Sequence, residues 1–390
     1  MSRLTAHPRS AVVAVTLGCN SKCKTCDIWM YKPENELEPE DYRRLPRSLR
    51  NINVSGGEPF LRDDLPDIVR IMREAVPDPR IVISTNAILP ERTEKIMRRI
   101  PDAAVRVSID GIGEAHDSTR GVPGNYERCL ETLRRLKAIG VTDLGLSATA
   151  SSYNPGEVPR VQELARALGI EFVVGVAHSS PSYFGDQAGA GPDPERAARE
   201  LVAIRDRELA TWRPKEWVRA WFTDGLIDQL EGRTRRMPCY AIESHFYLDP
   251  HGNVYPCNAR GDVMGNLRTE TYDEIVARNG ALLADVRQCN DCWMSCTVTP
   301  GLRQRPWTPL AWVVRSKLAG APARLPLRPR VEPHPLGTGQ GTIPIYLDDR
   351  TKQRYGKLKG IEATGPGSAA APLAATPAPA AHPHPGGSSG

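Results

Sequence analysis

The chain has 390 residues, 40% hydrophobic and 25% charged, an ordinary composition for a protein that forms a core. Its length suits two or three domains, or one barrel with an appendage, and no apolar run is long enough to span a bilayer. The net charge of +5 is accounted for by residues 301–335, where Arg303, Arg305, Arg315, Lys317, Arg324, Arg328 and Arg330 face a single acid, Glu332. That stretch reads as a basic, Pro-rich, solvated extension, so nucleic acid is not expected as a partner.

The first residues contain a short apolar stretch that runs straight into Cys19, which reads as a buried strand rather than a signal peptide. A cytoplasmic location is expected. Residues 11 to about 178 then repeat one theme, a β-branched run followed by a polar helical stretch. The expected strands are Ala11–Leu17, Asn51–Ser55, Arg80–Thr85, Ala104–Asp110, Thr142–Ala148 and Ile170–Ala177. Expected helices include Leu65–Ala75, Glu91–Ile100, Tyr126–Ile139 and Val158–Leu168. Alternation of this kind predicts a parallel sheet with right-handed crossovers. Six units fall short of a closed eight-fold barrel, so the expected fold is α/β, a partial (β/α)6 TIM-like barrel over residues 1–190. In such folds the chemistry sits at the C-terminal ends of the strands.

Residues 191–236 read as a helical connection. Residues 237–300 form a small cysteine-rich α+β extension with a hairpin turning at Asp249-Pro250-His251-Gly252 and a helix near Tyr272–Arg287. Beyond the basic segment, residues 336–390 are low in complexity, and 363–390 hold no charged or aromatic residue, so a disordered tail is expected there.

Nine cysteines in a reducing compartment point to metal or catalysis. Cys19, Cys23 and Cys26 fall directly after the first strand, a density natural for zinc or an iron–sulfur cluster. A structural zinc site closes with four ligands. Three cysteines on a cubane leave one iron open, and no fourth Cys or His follows before His116 and Cys129. Cys129 lies in an apolar helical pattern and reads as a small buried hydrophobe.

The CxxxCxxC spacing on the first strand–helix loop resembles the radical SAM superfamily. The resemblance implies a [4Fe–4S] cluster on Cys19, Cys23 and Cys26 whose open iron is chelated by S-adenosylmethionine (SAM). Reductive cleavage of SAM then gives a 5′-deoxyadenosyl radical that abstracts hydrogen from substrate. Many relatives carry an aromatic residue where this chain has Thr25; Trp29 can substitute. After the second strand, Gly56-Gly57-Glu58-Pro59 resembles the family's GGEP motif, which implies an ammonium-binding role for the loop and for Glu58. Ser84 and Asn86 after the third strand, and Ser108 and Asp110 at the end of the fourth, match positions where relatives hold the ribose and carboxylate of SAM. Arg120 is a candidate for the SAM carboxylate or for a structural salt bridge. No catalytic acid or base is identified.

The second group is Cys239, Cys257, Cys289, Cys292 and Cys296. A CxxC pair with two distant cysteines serves either a zinc ribbon or a four-cysteine cubane. Beside a radical SAM core it resembles the auxiliary-cluster extension of that superfamily, SPASM in its seven-cysteine form and Twitch in its shorter form. Five cysteines imply one auxiliary [4Fe–4S] cluster, with Cys239, Cys257, Cys289 and Cys292 as first-choice ligands and Cys296 replacing one of them or standing free.

The expected function is a radical SAM oxidoreductase or related radical-transfer enzyme whose auxiliary cluster transfers electrons, supplied by a donor such as flavodoxin or ferredoxin. Only about ten residues precede the first strand, so no leader-binding domain is expected there, which leans toward a small-molecule substrate such as a sugar, cyclitol or lipid head group. The alternatives are a maturase acting on a ribosomal peptide, or a non-catalytic iron–sulfur or zinc protein.

Overall fold

Strand β1 (Ser10–Thr16) is made of small and β-branched residues, and six of its seven are buried. A strand covered on both faces belongs in the middle of a parallel sheet. It lies between β2 (Asn51–Gly56) and β7 (His245–Leu248), parallel to both. The structure, a computed structural model, describes residues 7–185 and 189–319. Its sheet continues from β2 through β3 (Arg80–Thr85), β4 (Ala104–Ser108), β5 (Leu144–Ala150) and β6 (Glu171–Val176), every neighbouring pair parallel. On the other side β8 (Asn253–Tyr255) and β9 (Gly265–Asn266) are added antiparallel, so the order is β6-β5-β4-β3-β2-β1-β7-β8-β9. The first six strands form the open, partial α/β barrel expected.

The crossovers are α1 (Leu65–Ala75), α2 (Pro90–Met97), α3 (Glu114–Arg120) with α4 (Asn125–Ala138), and α5 (Glu157–Ala167). In α1, Ile68, Val69, Ile71 and Met72 are buried while Arg70, Arg73 and Glu74 on the opposite face are not, the stripe that docks a helix on a sheet. Two helices follow, α6 (Pro194–Ala210) and α7 (Pro214–Leu230), each opened by a proline that needs no hydrogen-bond partner at that position.

Four features differ from the sequence reading. The hairpin does not stand apart: β7 pairs with β1, so the cysteine-rich segment extends the barrel sheet. Residues 114–120, too short and polar to show a period, form α3. The single helix expected over 272–287 is two, α8 (Tyr272–Arg278) and α9 (Gly280–Gln288), because the Asn279 side chain turns back to donate to the carbonyls of Ile275 and Met264 at 2.7 and 3.0 Å. After a short α10 (Ser295–Val298), the basic segment holds α11 (Trp307–Leu318). It packs on α7, with Trp312 Nε1 donating to Asp224 Oδ2 at 3.1 Å and Lys317 Nζ donating to the Thr211 carbonyl at 3.1 Å. A solvated linker would have neither contact. The rest of the basic segment and the tail at 336–390 lie outside the described residues. Among those described, no helix is long and apolar enough to cross a membrane.

Candidate active site

Because β1–β6 are parallel, their C-terminal ends share one rim of the sheet. The loop carrying Cys19, Cys23 and Cys26 leaves β1 there and is held by two neighbours. From α3, the carbonyls of Arg120 and Thr119 accept from the amides of Lys22 and Lys24 at 3.1 and 2.9 Å. Gly121, at φ +66°, ends α3 so close that a Cβ would stand 2.4 Å from the Lys22 carbonyl oxygen. The His116–Gly121 segment is thus a strap on the cysteine loop.

The second neighbour is the turn after β2. The amides of Gly57 and Glu58 donate to the carbonyls of Thr16 and Gly18 at 2.7 and 2.8 Å. A Cβ on Gly57 would lie 2.1 Å from Gly18 O, and one on Gly56 would lie 2.3 Å from Thr16 O. Glycine is therefore needed where two backbones meet, before any ligand is considered.

Glu58 faces inward. It is 2% exposed, and its carboxylate accepts from Thr85 Oγ1 (2.9 Å) and from the amides of Phe60 (3.1 Å) and Asn86 (2.7 Å). Burial pushes its pKa up to about 7 against the opposing pull of these bonds. Glu58 and Pro59 do not line the cavity described below, whereas Gly56 and Gly57 do. These bonds tie the turn after β2 to the end of β3.

Asp110 is likewise behind the wall. Its carboxylate accepts from the Thr149 amide at 2.8 Å and pairs with Arg120 Nε at 2.6 Å. Arg120 also reaches forward, with Nη1 3.8 Å from Cys23 Sγ, so the salt-bridge and cavity-facing readings of this residue coexist. Asn86 donates to Asn20 Oδ1 at 2.8 Å, with Cys19 Sγ 3.8 Å away.

These rim residues enclose a cavity of about 290 Å³. Cys19, Cys23 and Cys26 line it, as do Ser84, Asn86, Ser108 and Arg120; Thr25 and Trp29 also contribute. Four residues that sequence reasoning missed also line the cavity. Tyr183 caps the β2 end, its hydroxyl bonded to Ser55 Oγ and accepting from the Gly56 amide at 3.2 Å. Ser147 and Thr149 stand at the end of β5. His178 follows β6, its Nδ1–H donating to the Val176 carbonyl at 3.1 Å; a carbonyl can only accept, so Nε2 carries the lone pair, and among the described residues no protein group bonds to it. Polar residues just past the last two strands were the available signal.

The second cysteine group divides. Cys239, Cys257, Cys289 and Cys292 are buried in the main core. Cys296 is half-buried, packs with Cys19 and Cys26 around Tyr183 and Tyr247, and lines the cavity with Asn258, Met294 and Ser295. Burial raises the Cys239, Cys257 and Cys289 thiols, that of Cys289 to about 12, and the neighbouring Cys292 sulfur pushes each of them further in the same direction. At the first site burial and Cys23 likewise push Cys19 up to about 12. Thiols held neutral this way lose their protons readily only to a metal. Among the described residues no three His, Cys, Asp or Glu side chains converge on a point that one metal ion would occupy. A cubane, in which each thiolate takes its own iron, does not require that. The soft donor sets, three thiols beside a cavity and four in the core, fit two iron–sulfur clusters.

A partial α/β barrel with these two thiol sites defines an iron–sulfur enzyme of the barrel class. Residues 13–168 match the radical SAM superfamily, and residues 239–296 match SPASM, an iron–sulfur cluster-binding domain. The AdoMet-dependent heme synthase of Methanosarcina barkeri is 33% identical over 303 residues, 70% of this chain and 84% of that protein, and the chain accordingly belongs to the radical SAM superfamily. Its cofactors are SAM with a [4Fe–4S] cluster and an auxiliary iron–sulfur cluster. The Fe-coproporphyrin III synthase of the same organism is 35% identical over 161 residues, 38% of this chain but only 39% of that protein. Among solved structures, anSMEcpe with bound AdoMet and the Cp18Cys peptide aligns with a TM-score of 0.56 at 15% identity, covering 79% of this chain and 99% of that one, a likeness of fold.

Proposed function

We propose that the enzyme oxidises a small molecule held between its two cluster sites. The observation that carries this is the shared cavity: Cys19, Cys23 and Cys26 line one side, and Asn258, Met294, Ser295 and Cys296 of the auxiliary segment line another. When bound, SAM and the first cluster supply the radical that removes a hydrogen atom from substrate. The three cysteines hold that cluster, with Gly56, Gly57, Ser84, Asn86, Ser108 and Arg120 within reach of SAM. Glu58, Pro59 and Asp110 support the same loops from behind. Cys239, Cys257, Cys289 and Cys292 hold the auxiliary cluster, which in this reading is closed by four thiolates and suited to accept an electron. An external reductant such as flavodoxin or ferredoxin primes the first cluster.

His178 supplies the proton acceptor for such an oxidation. Burial lowers its pKa, so the imidazole is neutral near pH 7 with its lone pair on Nε2, and the residue lines the cavity. Two relatives named for heme and Fe-coproporphyrin make an iron tetrapyrrole the first substrate class to try, ahead of a sugar, cyclitol or lipid head group. The test is 5′-deoxyadenosine release by anaerobically reconstituted, reduced enzyme, with and without iron coproporphyrin III or a panel of cyclitols. Release well above the unstimulated rate, with matching product, supports the reading. Stimulation by a cysteine- or serine-containing peptide alone would replace it with a peptide-modifying activity. Bound zinc with no SAM cleavage would leave a non-catalytic protein.

A further inference from the structure

Arg235 sits in the connection between α7 and β7, ahead of Cys239, and plays no part in the cavity. It is 8% exposed. Its Nη1 donates to the Cys292 carbonyl and lies 3.7 Å from Cys292 Sγ, while Nε donates to the Met237 carbonyl at 3.4 Å. Its backbone amide donates to Asn290 Oδ1 at 3.1 Å, and the guanidinium lies over the Trp293 ring, 5.3 Å from its centre. The thiols of Cys292, Cys239 and Cys289 all interact electrostatically with it. Arg260 is compensated by Asp262 at 2.6 Å and Asp285 at 2.8 Å. Asp291, whose Oδ2 accepts from Cys289 Sγ at 3.3 Å, brings a negative charge to the opposite sulfur.

A guanidinium cannot lose its proton in a protein, so this cation is permanent. Reducing a cluster adds one negative charge in a poorly screened interior, and hydrogen bonds and charge at the ligand sulfurs set how readily that happens. We infer that Arg235 is a positioning residue for electron transfer: by holding a fixed positive charge against the Cys292 sulfur, it raises the reduction potential of the auxiliary cluster and makes it the electron acceptor. This rests on the assignment of the auxiliary cluster to Cys239, Cys257, Cys289 and Cys292. Asp291 acts in the opposite sense at Cys289, so the two residues set the potential between them.

The test is an EPR-monitored redox titration of full-length, reconstituted protein carrying Arg235→Met, Arg235→Gln or Arg235→Lys. The Cys19→Ala/Cys23→Ala/Cys26→Ala background assigns the signal to the second site. Loss of the charge is expected to weaken one-electron reduction of that cluster about tenfold, a shift of about 59 mV to more negative potential. Lys is expected to recover most of it and Gln little. If Met leaves no cluster, the Lys and Gln variants decide the matter between them. Equal potentials in Lys and Gln variants, or loss of the second cluster even with Lys, would make Arg235 a packing residue and overturn the inference. A wild type holding no second cluster at all would instead overturn the functional reading.

Discussion

The two cysteine sites are built by opposite strategies. The first is a loop at the rim, strapped from outside by backbone bonds to α3 and to the β2 turn, with its thiols facing a cavity. The second is folded into the core, where four thiols are buried beside a cation and two tryptophans, Trp221 and Trp293, 5.3 Å apart. An open site needs rigidity supplied by neighbours; a closed site takes it from burial. The first therefore suits a ligand that comes and goes, and the second suits an electron.

The largest effect expected from this contrast is functional. Changing Cys19, Cys23 and Cys26 to Ala should abolish SAM cleavage while leaving about four of about eight irons per chain in place, read by iron and sulfide analysis. Loss of both clusters would mean that the sites fold as one. Next, Asp110→Asn leaves the buried Arg120 cation without its partner, and about 3–5 kcal/mol of stability should go with it, measured by chemical denaturation. A Gly57→Ala variant should cost about 1–3 kcal/mol and weaken SAM binding together, because the added methyl meets the Gly18 carbonyl of the cysteine loop. Unchanged SAM affinity would separate that turn from the site.

A pH experiment sharpens the comparison away from either cluster. Glu208, buried on α6 beside Thr223, has its pKa raised to about 8 by burial, against 4.5 in the unfolded chain. A carboxyl raised on folding contributes fully below pH 4.5, and the contribution is lost as pH rises toward 8, at up to about 1.4 kcal/mol per pH unit. Glu208→Gln should flatten stability against pH in that window, with both iron contents unchanged. Smallest of all, Cys296→Ser should keep the iron of the second site, since four other thiols remain there. Loss of that iron would make Cys296 a ligand.

Much of this organisation is legible in the residues. The six β-branched runs became β1–β6, and the first cysteine group sits directly after β1, where the strand pattern placed it. What stayed hidden depended on direction and distance. The type of residue at Glu58 says nothing of which way it turns, and three protein donors turn it inward. Pairing of β7 with β1 joins residues more than two hundred apart, beyond any local pattern. Tyr183 and His178 reach the site from a loop with no periodicity of its own.

The central claim is that one thiol site leaves an iron open to SAM and the other does not. The most direct measurement is EPR spectroscopy of the reduced, reconstituted protein before and after SAM is added. The account predicts that SAM perturbs one of two cluster signals, and that this responsive signal is missing when Cys19, Cys23 and Cys26 are replaced. A SAM response that survives in that variant, or no response in the wild type, would contradict it.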